Sequence, residues 1–184
     1  MYDLVNKYCT VVRHSSNEND NAIHLLFENR LYKKVIGTLR EELELYVKTL
    51  YLLNQDKEIR NRLLLMFSRN HQWINEKGKF LTDRELLNFT SRITGAGWEQ
   101  VSYKFACYFI HFSILHNWEV EDVTTFVNAE ERRTIINYIN NYHSANLTMD
   151  SSFEDIIQYS LKIFDKIKGN LEYYLRDLEL ENSN

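Results

Sequence analysis

The sequence has no proline, five glycines and two cysteines in 184 residues. Average usage at this length would supply about 9 prolines and about 13 glycines. Sandwiches and barrels of many short strands need Gly- and Pro-rich turns at close intervals, so the scarcity argues against that class. With 44% hydrophobic residues it also argues against collagen-like, proline-rich and disordered chains. Cys9 and Cys107 are too far apart for a zinc motif, and a single bridge would be a sparse framework for this length. Both are read as free thiols in a reducing compartment, so the expected location is cytoplasmic. No run of about 18 apolar residues occurs, so no membrane span is expected. Met1-Tyr2-Asp3-Leu4 lacks the basic-then-apolar pattern of a secretory leader. An excess of positive charge is missing too: Lys and Arg total 22 against 26 Asp and Glu, a net charge of −4. That balance argues against a DNA-coating role and leaves room for a small basic pocket or a transient RNA contact.

What the chain does have is helical periodicity. Residues 2–13 fit a short helix, and the polar stretch Ser15-Ser16-Asn17-Glu18-Asn19-Asp20-Asn21 reads as a loop. A long helix is then expected over 21–53, capped by Asp20 or Asn21. From Tyr32 its apolar positions step 4, 3, 4, 3, 4, 3 through Ile36, Leu39, Leu43, Tyr46, Leu50 and Leu53. Asp56 caps a third helix over roughly 57–75, and Gly78 ends that run. Thr82 and Glu85 have capping-box spacing and open a helix to about Ile93, which Gly95-Ala96-Gly97 breaks. Trp98 to about Asn117 is apolar nearly all round, so it must be surrounded by neighbours. Residues 129–143 are a further helix. Ser151 to Glu154 gives another capping-box spacing, and the 4,3 steps from Phe153 to Leu178 give the last helix. The fold expected is all-α: one single-domain helical bundle with long antiparallel central helices. Residues 1–20 would form an N-terminal helix and loop, 21–178 the bundle, and 179–184 a tail.

Several familiar sites are missing. Gly95-Ala96-Gly97 lacks the glycine and lysine of a phosphate loop, and there is no His-Glu-x-x-His. No Glu stands three residues before any histidine, so the di-iron bundle signature is absent. The segment 81–104 has a helix–turn–helix outline. Its charges cancel, however, and its second helix is too apolar for a groove, so no sequence-specific DNA binding is expected. Arg60, Arg62, Arg69 and His71 could form a phosphate-facing strip, but Asp56, Glu58 and Glu76 flank it and favour a solvated face. Trp73, Trp98 and Trp118 read as packing at the edge of the core.

His111 is the remaining chemical candidate. It interrupts the most apolar helix, one turn after Tyr108 and two turns after Lys104, and a buried imidazole needs partners. Arg40, Glu41, Glu42 and Glu44 interrupt the apolar pattern of the long helix, and Arg40 and Glu44 share a face as an i,i+4 pair. If that face turns toward His111, a charged cluster forms between the helices. The plainer alternatives are a structural polar knot, or a solvated Arg40/Glu44 face.

Leu39-Arg40-Glu41-Glu42-Leu43-Glu44-Leu45-Tyr46 and its continuation to Leu53 resemble the Arg-x-x-x-Glu helix of bacterial HEPN-like domains (higher eukaryote and prokaryote nucleotide-binding). Tyr103-Lys104-Phe105-Ala106-Cys107-Tyr108-Phe109-Ile110-His111-Phe112-Ser113 resembles the Tyr…Leu-Ser-x-x-Val-His-x-Ser segment of the same group. The two segments begin about sixty residues apart, and the likeness spans about residues 20–118. The resemblance implies a metal-independent ribonuclease of bacterial toxin–antitoxin, abortive-infection or CRISPR systems, or an inactive binding or dimerisation module. It implies no cofactor, RNA or a nucleotide as ligand, and a second copy or a cognate antitoxin-like protein as partner. Active members carry an Arg separated from the His by four to six intervening residues, whereas here Lys104, with six residues between it and His111, is the cation at comparable spacing. By the same resemblance His111 would move the proton, and Arg40 or Lys104 would stabilise charge on phosphorus. Glu44 would orient Arg40 or the imidazole, while Tyr103 or Tyr108 would stack on a base or donate to phosphate.

Overall fold

The computed structural model describes the backbone of residues 2–95, 97–110 and 128–183, and the side chains of 4–95, 97–106 and 128–181. The described elements are all helices: α1 (Tyr2–Glu28), α2 (Tyr32–Leu53), α3 (Lys57–Ser68), α4 (Asp83–Thr94), α5 (Trp98–Ile110), α6 (Ala129–His143), α7 (Phe153–Ile157) and α8 (Ser160–Ser183). One isolated antiparallel bridge, Ile74 to Phe80, lies between α3 and α4. Among the described residues no helix is long and apolar enough to cross a membrane.

The polar stretch 15–21 is helical, not a loop. Val5, Tyr8, Cys9, Val12, Ser16, Asn19 and Ile23 form one buried stripe of α1, and two of its positions are polar because they face a carboxylate. Glu42 of α2 is fully buried. Its Oε1 accepts from Ser16 Oγ (2.5 Å) and its Oε2 from Asn19 Nδ2 (3.0 Å). Two helical turns further on, the hydroxyls of Tyr8 and Thr49 lie 3.1 Å apart. These pairs make α1 and α2 antiparallel. Arg13 joins α1 to α8 through Glu172 (2.9 Å) and Glu179 (2.6 Å), and Asp20 pairs with Lys168 (2.8 Å). Cys9 is a buried free thiol whose pKa burial pushes up to about 12.

The expected helix over 21–53 is broken at residues 29–31. The amide of Leu31 donates to Leu26 O (2.9 Å) and that of Arg30 to Phe27 O (2.9 Å), with Arg30 at φ +56°. This is a Schellman end with arginine where glycine is usual. The third helix stops at Ser68, well short of 75, by the same device: His71 N donates to Met66 O, Asn70 N donates to Phe67 O, and Asn70 sits at φ +56°. α4 and α6 follow the sequence closely. Thr82 and Glu85 form the capping box, Gly95 closes α4 at φ +65°, and α6 runs from Ala129 to His143. The box before α7 is Ser152–Asp155, one residue later than read from the sequence, and the last helix is divided after Ile157.

Arg60, read as part of a solvated face, turns back onto α2. Its Nε donates to Leu52 O (3.0 Å), and its Nη2 donates to Leu53 O (2.8 Å) and Gln55 O (3.0 Å), satisfying the orphan carbonyls of the α2 C-terminus. The same Nη2 pairs with Glu181 of α8 at 2.8 Å. Trp73 and Trp98 are buried in the core, while Trp118 lies outside the described residues.

Two measurements follow from these contacts. Arg30→Gly, by removing the left-handed penalty at an exposed site, should stabilise the fold by about 1 kcal/mol in urea unfolding. Burial raises the Glu42 carboxyl above its ordinary value, against the opposing hydrogen bonds of Ser16 and Asn19. Native Glu42 therefore keeps a proton that the unfolded chain releases above about pH 4.3, and its contribution falls as pH rises through that window. The urea midpoint of wild type relative to Glu42→Gln should drop as pH rises above about 4.3; a flat difference would contradict the raised pKa.

Candidate functional site

Arg40 and Tyr103 meet. Arg40 lies in the first half of α2 and Tyr103 in the middle of α5. Further along the same pair, Tyr46 reaches Glu99 (3.2 Å), so α2 and α5 run antiparallel. Arg40 Nη2 donates to the Tyr103 hydroxyl at 3.2 Å and to Asp83 Oδ2 at 3.1 Å, and the Tyr103 hydroxyl donates to the same Oδ2 at 3.1 Å. The guanidinium carbon stands 5.1 Å from the Tyr103 ring centroid. Asp83 is the first residue of α4, where a carboxylate suits the helix dipole, and the Thr82–Glu85 box fixes that turn. The side chains of Arg40 and Asp83 are 25% and 38% exposed, so a solute can still reach the guanidinium.

Glu44, one turn beyond Arg40 on α2, takes the Lys48 ammonium as an i,i+4 pair. Lys104 follows Tyr103 on α5 and is exposed. Tyr108 lies on α5 with its side chain outside the described residues, and His111 lies outside them entirely. The structure thus joins Arg40 to Tyr103, adds Asp83, and leaves the expected convergence on His111 beyond what it describes. The sequence gives no functional signal at Asp83, because its context, a Thr-x-x-Glu box, accounts for an acid there.

A cleft of about 640 Å³ opens beside this cluster, between α1, α2 and the α3–α4 connection. Glu44, Lys48, Thr82 and Asp83 line it, as does His71, which the sequence placed on a solvated face. Tyr8, Phe67 and Trp73 supply its apolar lining.

A second polar cluster joins α5, α6 and α8. Glu99 is fully buried, with Oε1 accepting from Tyr46 and Oε2 without a hydrogen-bond partner among the described residues. The Lys166 ammonium sits 3.6 Å from the Tyr142 ring centroid, 4.6 Å from that of Trp98 and 5.6 Å from that of Tyr138. Burial lowers the Lys166 pKa against the pull of Glu99, and burial pushes the Tyr138 hydroxyl up to about 12. Burial and the charges of Lys166 and Lys162 lower the His143 pKa. No sequence signal marks this cage, because its rings come from two other helices. Among the described residues no group of His, Cys, Asp and Glu is arranged to hold a metal ion.

Comparison with protein-family models, with curated proteins and with solved structures finds no match for this chain.

Tyr103→Phe removes both the acceptor for Arg40 and the donor to Asp83 at a half-buried site. It should cost about 0.5–1.5 kcal/mol, read as a lower urea midpoint at unchanged slope.

Proposed function

We propose that the protein is a HEPN-like helical bundle that engages single-stranded RNA across α2, α4 and α5 and cuts it without a metal. The Arg40–Tyr103 contact carries this reading. It sets a guanidinium, the side chain best matched to phosphate, beside a phenol that can donate to the same group or stack on a base. Lys104 adds positive charge one residue along α5. In the reaction His111 takes the proton of a ribose 2′-OH, the 2′-oxygen attacks phosphorus, the bond from phosphorus to the 5′-oxygen breaks, and the 5′-oxygen takes a proton from solvent water. The products are a 2′,3′-cyclic phosphate and a 5′-hydroxyl end. Arg40 and Lys104 balance the charge that builds on the phosphoryl oxygens, and Asp83 holds Arg40 in place while Glu44 is taken by Lys48.

Asp83 favours a second reading. A carboxylate already fills part of the Arg40 fork, which suits a non-catalytic module that binds RNA, a second copy of itself or an antitoxin-like protein. Cleavage of a labelled single-stranded RNA by wild type, His111→Ala and Arg40→Ala separates the two. Loss of at least about 100-fold in His111→Ala supports the nuclease. Equal activity, or none in any form, leaves the binding module. Light scattering reports the partner: a species of 22.2 kDa rules out a cleft built by two copies.

A further inference from the structure

The cleft beside Arg40 has the construction of a ring-binding pocket. We propose that it receives a nucleobase: a strand held at Arg40 and Tyr103 turns one base out of its stack onto Phe80 and into the cavity. This rests on the RNA-engaging reading and adds the element that would grip the base.

Phe80 stands at the lip of the cleft with 63% of its surface exposed. Its backbone is fixed, since residue 80 bridges to Ile74 and the amide of Leu81 donates to Trp73 O at 2.9 Å. The ring is therefore presented from a fixed point of the backbone at the mouth of the cleft. Behind it the floor is aromatic. The Tyr8 ring lies 5.0 Å edge-on from Phe67 and 6.4 Å stacked from Trp73, and the Tyr8 hydroxyl is turned away to Thr49. At the rim the amides of Asn70 and Gln72 are exposed and offer both donors and acceptors to a base edge. Asn70 is held there by its left-handed conformation at the end of α3.

Continuity with the Arg40 cluster selects a nucleotide over other planar ligands. Asp83 lines the cleft and also holds Arg40 and Tyr103. A phosphate at the guanidinium and a base on Phe80 would thus be neighbours across one carboxylate. The volume, about 640 Å³, falls within the usual range of small-molecule pockets and leaves room for the sugar.

The test is fluorescence anisotropy of a 5′-labelled single-stranded octaribonucleotide, with adenosine 5′-monophosphate as competitor. Wild type, Phe80→Ala, Phe80→Tyr and Arg40→Ala are compared, and thermal melts confirm that each is folded. Phe80→Ala should weaken binding about tenfold, the order expected for one stacked base, whereas Phe80→Tyr stays close to wild type. If Phe80→Ala binds the strand as wild type does while Arg40→Ala loses it, the pocket is overturned and the RNA reading stands. If the monophosphate competes in a Phe80-dependent way but no form cuts RNA, the pocket stands and the nuclease falls. Absence of saturable binding of either probe to wild type overturns the pocket and the RNA reading together.

Discussion

The structure depends on the enclosure of α2. Half of its residues are buried, including Thr38, Glu42 and Thr49. A helix of that kind is stable only when neighbours both cover its apolar atoms and answer its polar ones. Three polar groups on α2 select three different neighbours. Glu42 takes Ser16 and Asn19 of α1, Tyr46 takes Glu99 of α5, and Arg40 takes Asp83 of α4. Apolar contact alone would let these helices slide by a turn. The hydrogen bonds fix their registers, because a slipped helix would leave a buried carboxylate unanswered. The candidate site is a by-product of this arrangement, since Arg40, Asp83 and Tyr103, which lock α4 and α5 to α2, are the residues that make it up.

Much of the helical content could be read from periodicity and caps. Asp56, Thr82, Gly95 and the limits of α6 lie where side-chain chemistry puts them. The misread boundaries share a physical cause. Glycine is the residue by which a helix end is normally recognised, and here α1, α3 and α6 end on Arg30, Asn70 and Ser144 at positive φ. A chain this poor in glycine spends left-handed strain on ordinary residues, and that expense leaves no compositional mark. The stretch 15–21 was misread for a related reason. Polar residues at the inward positions of a helix look like a loop until the buried carboxylate they serve is known.

The candidate site was legible in part. Arg40 and Tyr103 were singled out from different segments, and they meet. Asp83 and Phe80 carry no signal in the sequence and His71 reads there as part of a solvated face, because their place beside the cleft comes from the α3–α4 connection folding back beside α2, a placement that no local pattern encodes. The same holds for Lys166, which in sequence is one more lysine on an amphipathic helix.

Lys166 also shows how little covalent change this architecture would tolerate at one point. Its ammonium is gathered among Tyr142, Trp98 and Tyr138, so a single positive charge ties α8 to both α5 and α6. Methyl groups on that nitrogen would keep the charge and spread it against the rings. An acetyl group would abolish it and leave a bulky amide wedged where three helices now converge.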